Sequence, residues 1–295
     1  MMKVADHLLR ATAYEGLIRC SAITSQNLCQ TATDYHKLSP IVAVALGRLM
    51  SGALLLGQDL KNDSDQLTIT INGSGPIGGM TVVVRPGGKV KGLVQVPVVE
   101  ATYHHPGKFN VGAAIGEGYL TVVRSTSIAE PYVGRIELAS GEIAEDLVAY
   151  CFYSEQIPTM MSLGVRVDKD GIEVAGGLLI QALPGVTDEI LDDIEARIKA
   201  FGDITPHLQS GISLREILEE LLGDNLDNDL SDMPVNYCCD CSADGMERAL
   251  LTLGDSELRE LAKDPSGITL ECHFCPHKYH FDQNQIKGLM NRGER

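Results

Sequence analysis

Basic side chains are scarce in this sequence. Its 24 Lys and Arg face 40 Asp and Glu, a formal net charge of −16 over 295 residues. That balance argues against nucleic-acid binding through the phosphate backbone, which needs clustered Lys and Arg. It argues equally against an anionic membrane surface. Long apolar runs are missing as well. The most apolar stretch, residues 41–57, contains Arg48 and is too short and too mixed to span a bilayer. Met1 to Cys20 carries Lys3, Asp6, Arg10, Glu15 and Arg19 with no long apolar core, so no secretory signal is read there. A cytoplasmic location is the expectation, and there paired cysteines mean metal or redox chemistry rather than permanent disulfides. No G-x-x-x-x-G-K-[ST] loop occurs, so the sequence gives no sign of ATP binding. Residues 73–78, Gly-Ser-Gly-Pro-Ile-Gly, spell G-x-G-x-x-G, but that fingerprint must open a helix. Pro76 interrupts it and a valine-rich run follows, so a strand connection built on glycine is the reading.

What is present supports a real core: 44% of the residues are hydrophobic, and the length suits two or three domains. Residues 1–35 predict a strand and then a short helix, with Cys20 and Cys29 as packed thiols. Ser39-Pro40 opens a buried helix, a cap followed by proline where its missing N–H costs nothing. Arg48 within it is read as a snorkelling side chain. LTITIN, MTVVVR and KVKGLVQV alternate as strands, and two more follow between Gly118 and Gly141. Glu142 to Gln156 predicts a helix carrying Cys151 in the core. Met160 to Leu183 predicts a hairpin turning at Asp170-Gly171.

Composition shifts after Pro184-Gly185. Residues 187–232 carry thirteen carboxylates against Arg197, Lys199 and Arg215. Two amphipathic helices are expected here, one capped by Thr187 and one opened by the capping box Ser213 to Glu216. Both are too short to persist without a surface to pack on. The stretch DNLDNDLSDMP that follows reads as acidic and without a core, its charge run a solvated face.

The sharpest signal comes last. Tyr237-Cys238-Cys239-Asp240-Cys241 is followed by Cys272-His273-Phe274-Cys275, so five of the eight cysteines sit in two knots. Two facing pairs of thiolates form a tetrahedral cage for zinc. Spacing leaves two choices for the first pair, Cys238 with Cys241 or Cys239 with Cys241. His273, His277 and His280 are nearby, but four thiolates suffice, so the histidines read as surface residues. The site reads as structural rather than hydrolytic.

The sequence resembles the redox-regulated thirty-three-kilodalton chaperonin family. The likeness runs through ALGRLM at 45–50, INGSGPIGGM at 71–80 and SGEIAEDLVAYCFYSEQIP at 140–158. It continues through AGGLLIQALPG at 175–185, EILEELLGD at 216–224, CDCS at 239–242 and CHFC at 272–275. The resemblance implies a non-enzymatic, ATP-independent holdase, inactive when reduced and zinc-bound. On this pattern oxidants release the zinc, the acidic linker unfolds, the protein dimerises, and unfolding client proteins are held. It implies one Zn2+ on Cys239, Cys241, Cys272 and Cys275, and disulfides Cys239–Cys241 and Cys272–Cys275. Cys238 departs from the family pattern and is a possible substitute ligand. The expected architecture is α+β: a mixed-sheet domain over 1–184 for client binding and dimerisation, a helical acidic linker over 185–234, and a redox-sensing zinc module over 235–295. Two other readings compete. A zinc ribbon binding nucleic acid is opposed by seven Lys and Arg against ten Asp and Glu in residues 236–295. A C-x-x-C thiol oxidoreductase lacks a βαβ context.

Overall fold

A computed structural model describes residues 5–105 and 107–293. The fold is α+β, and the chain forms two compact units, 1–238 and 239–295. The first opens with strands β1 (His7–Ala13) and β2 (Ile18–Thr24), then helices α1 (Gln26–His36) and α2 (Pro40–Leu56). Strands β3 (Gln66–Gly73), β4 (Gly79–Arg85) and β5 (Lys89–Val94) follow. Next come the small hairpin β6 (Tyr103–His105) and β7 (Lys108–Phe109), helix α3 (Val111–Ile115), and strands β8 (Gly118–Thr126) and β9 (Ala129–Glu137). Helix α4 (Ala144–Tyr150) runs into a π-helical turn, Cys151–Glu155, before β10 (Thr159–Asp168) and β11 (Gly171–Ala182). The acidic segment supplies α5 (Asp188–Phe201), α6 (Ile204–Ser210), α7 (Leu214–Leu222), β12 (Ser231–Pro234) and β13 (Asn236–Tyr237).

Two sheets organise this unit, in the orders β10-β11-β2-β1-β12 and β13-β5-β4-β3-β8-β9. Helix α2 lies between them and touches strands of both. Ser39 takes the extended cap conformation, Pro40 sits in the first turn, and apolar side chains all round the helix are buried. The strand alternation read from the sequence explains the layering. Leu67, Ile69 and Ile71 of β3 and Met80, Val82 and Val84 of β4 point at α2, while Thr68 and Thr70 face away. The five-stranded sheet is apolar on both faces. Leu8, Ile23, Ala175 and Leu179 join the α2 core, whereas Leu9, Ala11, Cys20, Ala22, Leu178 and Ile180 join a second core under α5 to α7. The amphipathic helices therefore bury their stripes, including Ile194, Leu214, Ile217, Leu218 and Leu221, on the outer face of this sheet. In the α7 capping box, Ser213 Oγ accepts from Glu216 N–H at 3.2 Å, and Glu216 accepts from Ser213 N–H at 2.7 Å.

The glycines of 73–78 have a packing reason. A Cβ on Gly73 would lie 2.0 Å from the Ile115 carbonyl oxygen, so only glycine lets the two backbones meet. The connection links β3 to β4, as expected for a strand turn.

Four sequence readings need correction. Of residues 1–35, the first four lie outside the described residues and the rest hold two strands rather than one, because Tyr14 and Glu15 adopt positive φ and turn the chain back on itself. Arg48 does not snorkel: its guanidinium donates to Glu142 at 2.7 Å, with side chains 14% and 20% exposed. The helix from Glu142 begins at Ala144 and ends in the π-turn. Finally, residues 224–234 are not simply a solvated charge run. β12 pairs antiparallel with β1, and the segment's carboxylates accept from β1 and the turn after it. Thr12 N–H reaches Asp229 at 2.9 Å, and Thr12 Oγ1 and Gly16 N–H reach Asp227 at 2.7 and 2.9 Å. By compactness, residues 185–234 cluster with the first unit.

The second unit contains α8 (Ala243–Leu251), α9 (Asp255–Leu261), the hairpin β14 (Ile268–Glu271) and β15 (Lys278–Phe281), and α10 (Gln283–Gly293). Its core is small: Leu250, Leu258, Ala262, Phe281, Ile286 and Leu289.

Candidate metal centre

The cysteines of the second unit arrive from two turns. Cys239 and Cys241 precede α8, whose start is fixed by Ser242, its Oγ accepting from Gly245 N–H at 3.1 Å. Cys272 and Cys275 sit at the tip of the β14–β15 hairpin, and Cys272 N–H donates to the His277 carbonyl at 3.0 Å to close that turn. The four sulfurs lie within 4.8 Å of one another. Two contacts are shorter and run between the turns, Cys239 to Cys272 at 3.6 Å and Cys241 to Cys275 at 3.5 Å. A disulfide is about 2.05 Å long, so these are separate thiols. A tetrahedral zinc with sulfurs about 2.3 Å away has sulfur-to-sulfur edges of about 3.8 Å. The donor set and its spacing fit such an ion, and these four cysteines could hold a metal.

The electrostatics favour negative charge on one sulfur. Burial pushes Cys241 up, but the Tyr279 hydroxyl, donating at 3.1 Å, and the other three thiols outweigh it, so Cys241 is lowered. Burial raises Cys239 and Cys275; the three thiol neighbours add to the rise at Cys239, as do Cys241 and Cys272 at Cys275, where Cys239 opposes it. Tyr279 is pushed up to about 12, chiefly because its proton is held by Cys241. Cys272 is buried and the other three are half-buried. The thiolate form is the one that binds metal and that oxidants attack.

Among the named candidates, Cys238 stays outside this cluster. It belongs to the first unit, where its N–H donates to the Val90 carbonyl at 2.8 Å. His273, His277 and His280 are exposed. Cys20, Cys29 and Cys151 are buried, and desolvation pushes each thiol up to about 12, which keeps them protonated and inert. Sequence reading missed Tyr279, whose place beside Cys241 follows only from the hairpin register. It also missed Tyr237, which pins β13 to the sheet by donating to the Gly92 carbonyl at 2.9 Å and packs edge-on to Tyr35.

A family model described as Hsp33 protein matches residues 6–282, nearly the whole chain. The chain belongs to the Hsp33 family. It is 40% identical over 286 residues to a 33 kDa chaperonin of Acetivibrio thermocellus, covering 97% of both chains. A 33 kDa chaperonin of Lachnoclostridium phytofermentans is 38% identical, with 97% of this chain and 99% of that one covered. The crystal structure of the Hsp33 homologue of Thermotoga maritima superposes with a TM-score of 0.90 at 32% identity, over 98% and 99% of the two chains. Membership of the Hsp33 family supports a chaperone function, and the curated relatives are named chaperonins. No helix among the described residues is long and apolar enough to cross a membrane.

Proposed function

We propose that this Hsp33 chain is an ATP-independent cytoplasmic holdase whose activity is set by the oxidation state of Cys239, Cys241, Cys272 and Cys275. The observation that carries the reading is the convergence of these four thiols in a unit with a small apolar core of its own. In the reduced state they would hold one Zn2+. When bound, zinc keeps the sulfurs as thiolates and ties the two turns together.

The redox step belongs to the chain's own sulfurs. A thiolate attacks hydrogen peroxide, takes one oxygen to become a sulfenic acid and releases hydroxide. A second thiolate attacks that sulfur, forms the S–S bond and displaces hydroxide. Each disulfide thus removes two electrons and two donors. The family resemblance assigns the pairs Cys239–Cys241 and Cys272–Cys275. All four sulfurs lie within 4.8 Å of one another, so the pairs Cys239–Cys272 and Cys241–Cys275 are also within reach. Mass mapping of peptides from the oxidised chain separates the two.

A structural zinc site is worth about 10–16 kcal/mol of apparent binding free energy. The whole net stability of an ordinary domain is about 5–15 kcal/mol. Loss of the four donors therefore unfolds residues 239–295, the stretch of chain that follows the acidic segment. Self-repulsion among its carboxylates favours detachment. The outer face of the five-stranded sheet, with Leu178 and Ile180, then meets solvent and holds apolar segments of client proteins. The same exposed face drives homodimerisation. In this scheme 1–184 binds clients, 185–234 is the releasable linker and 235–295 senses oxidants. The test is light scattering of a heat-aggregating client with reduced and with peroxide-treated protein. Suppression by the oxidised form alone is expected, and equal suppression by both refutes the switch.

A further inference from the structure

One groove on the first unit holds more cationic donors than its neighbours use. It forms where one face of β1 and β2 meets the chain leaving α2. Its two compartments, of about 290 and 230 Å³, share Arg19, Gln58 and Asp59. In the strand register Arg10 faces Ser21 and Thr12 faces Arg19, which places both arginines on the same side of the sheet. Lys61 lines the larger compartment beside them.

The accounting of donors is uneven. Arg10 gives one N–H to the Gln58 carbonyl at 3.0 Å and keeps the rest of its fork. Among the described residues, the Arg19 guanidinium and the Lys61 ammonium have no hydrogen-bond or ion-pair partner. The carboxylates nearby are already engaged. Asp59 pairs with Arg124 at 3.1 Å, and Asp229 accepts from Thr12 N–H and Oγ1 at 2.9 and 3.1 Å. Glu155, in the smaller compartment, accepts from the Tyr150 hydroxyl at 3.2 Å and lies 3.7 Å from Arg124. Ser231, which faces Arg10 across the β1–β12 ladder, adds a hydroxyl to the wall. No aromatic ring lines either compartment, so a nucleobase gains no stacking there.

We infer that this groove binds a small multivalent oxyanion of the free oligophosphate class, with pyrophosphate as its simplest form. Three cations line one open groove, and a single carboxylate has too few oxygens to satisfy them. Guanidinium groups suit phosphate oxygens, and Lys61 adds a point charge. The chain's net charge of −16 does not forbid this. Exposed charges more than about 8 Å away are screened at physiological ionic strength.

Isothermal titration of the reduced full chain with inorganic pyrophosphate at physiological ionic strength tests the inference. One saturable site is expected. The double variant Arg19→Gln/Lys61→Gln removes two charge-assisted contacts, each worth about tenfold or more in affinity. Lys263→Gln alters an exposed cation of the second unit that is paired with Glu260 and is not among the residues lining the groove, and it should bind as the unaltered chain does. In the unaltered protein, pyrophosphate should also protect Lys61 from acetylation while leaving Lys263 reactive, a readout that does not depend on the variant folding. Absence of saturable binding, equal affinity in the double variant, or equal protection of Lys263 overturns the proposal. Tighter binding of ADP than of pyrophosphate overturns it in favour of a nucleotide site. None of these readouts involves cysteine oxidation, so they stand apart from the redox switch.

Discussion

Replacing Leu218 by alanine is expected to loosen α5 to α7 ahead of the rest of the first unit. Leu218 is fully buried on α7, whose stripe also contains Leu214, Ile217, Leu221 and Leu222. That stripe packs on Ala11, Cys20, Ala22, Leu178 and Ile180 of the five-stranded sheet. Removing a buried leucine side chain costs about 2–5 kcal/mol, depending on how far the site collapses. A nine-residue helix has little stability of its own once its apolar face is weakened. Since 1.4 kcal/mol is tenfold in an equilibrium constant, a loss of about 3 kcal/mol raises the detached population by about a hundredfold. Hydrogen exchange of the reduced, zinc-loaded chain reads this directly. Amides of 188–222 should exchange about a hundredfold faster, while those of β3, β4 and β8 stay as they were. The separation is expected because those strands pack on α2, in a core on the opposite side of the five-stranded sheet. The variant should also suppress client aggregation in part without oxidant. Uniform acceleration across both sheets, or none in 188–222, would show that the segment is not an independently releasable layer.

Other outcomes follow from the same contacts. Chelation of the reduced protein should abolish protection of 239–295 amides and leave the six-stranded sheet protected; a second unit still ordered without metal would contradict the stability comparison. Gly73→Ala should destabilise by several kcal/mol, on the order of 3 or more, because its Cβ would collide with the Ile115 carbonyl; a melting temperature within a degree or two of the parent's would be incompatible with that contact. Burial pushes Glu142 up, yet Gly112 N–H, His104 and Arg48 outweigh it and hold the carboxyl below its ordinary value. A depressed native value means stability present in full above the ordinary glutamate range, about pH 4.3, and lost as pH falls through the native value. Glu142→Gln should therefore flatten the acid limb of urea stability between about pH 5 and 3, and an unaltered slope would discount the cluster.

Several elements were legible because their signals are local. The alternation of LTITIN, the Ser39-Pro40 start and the Ser213 to Glu216 box each depend on residues within one turn or one strand. Others were not, because what makes them is distant. The backbone bonds and Asx contacts that make residues 231–234 a strand come from β1, more than two hundred residues earlier. Arg48 finds Glu142 across 94 positions of sequence. No reading of a single window contains either partner.

By itself the amino-acid order determined the α+β pattern, the acidic amphipathic segment and the existence of two cysteine knots, since these rest on side-chain period, charge and covalent spacing. It left Cys238 and Cys239 equivalent, because a thiol one residue along satisfies the same spacing. The tertiary structure decided between them. The Cys238 amide is bound to β5, while the Cys239 sulfur turns toward Cys272. Which sulfurs meet is a matter of direction in space, and direction is set by the strands and turns that hold each residue, not by its neighbours in the chain.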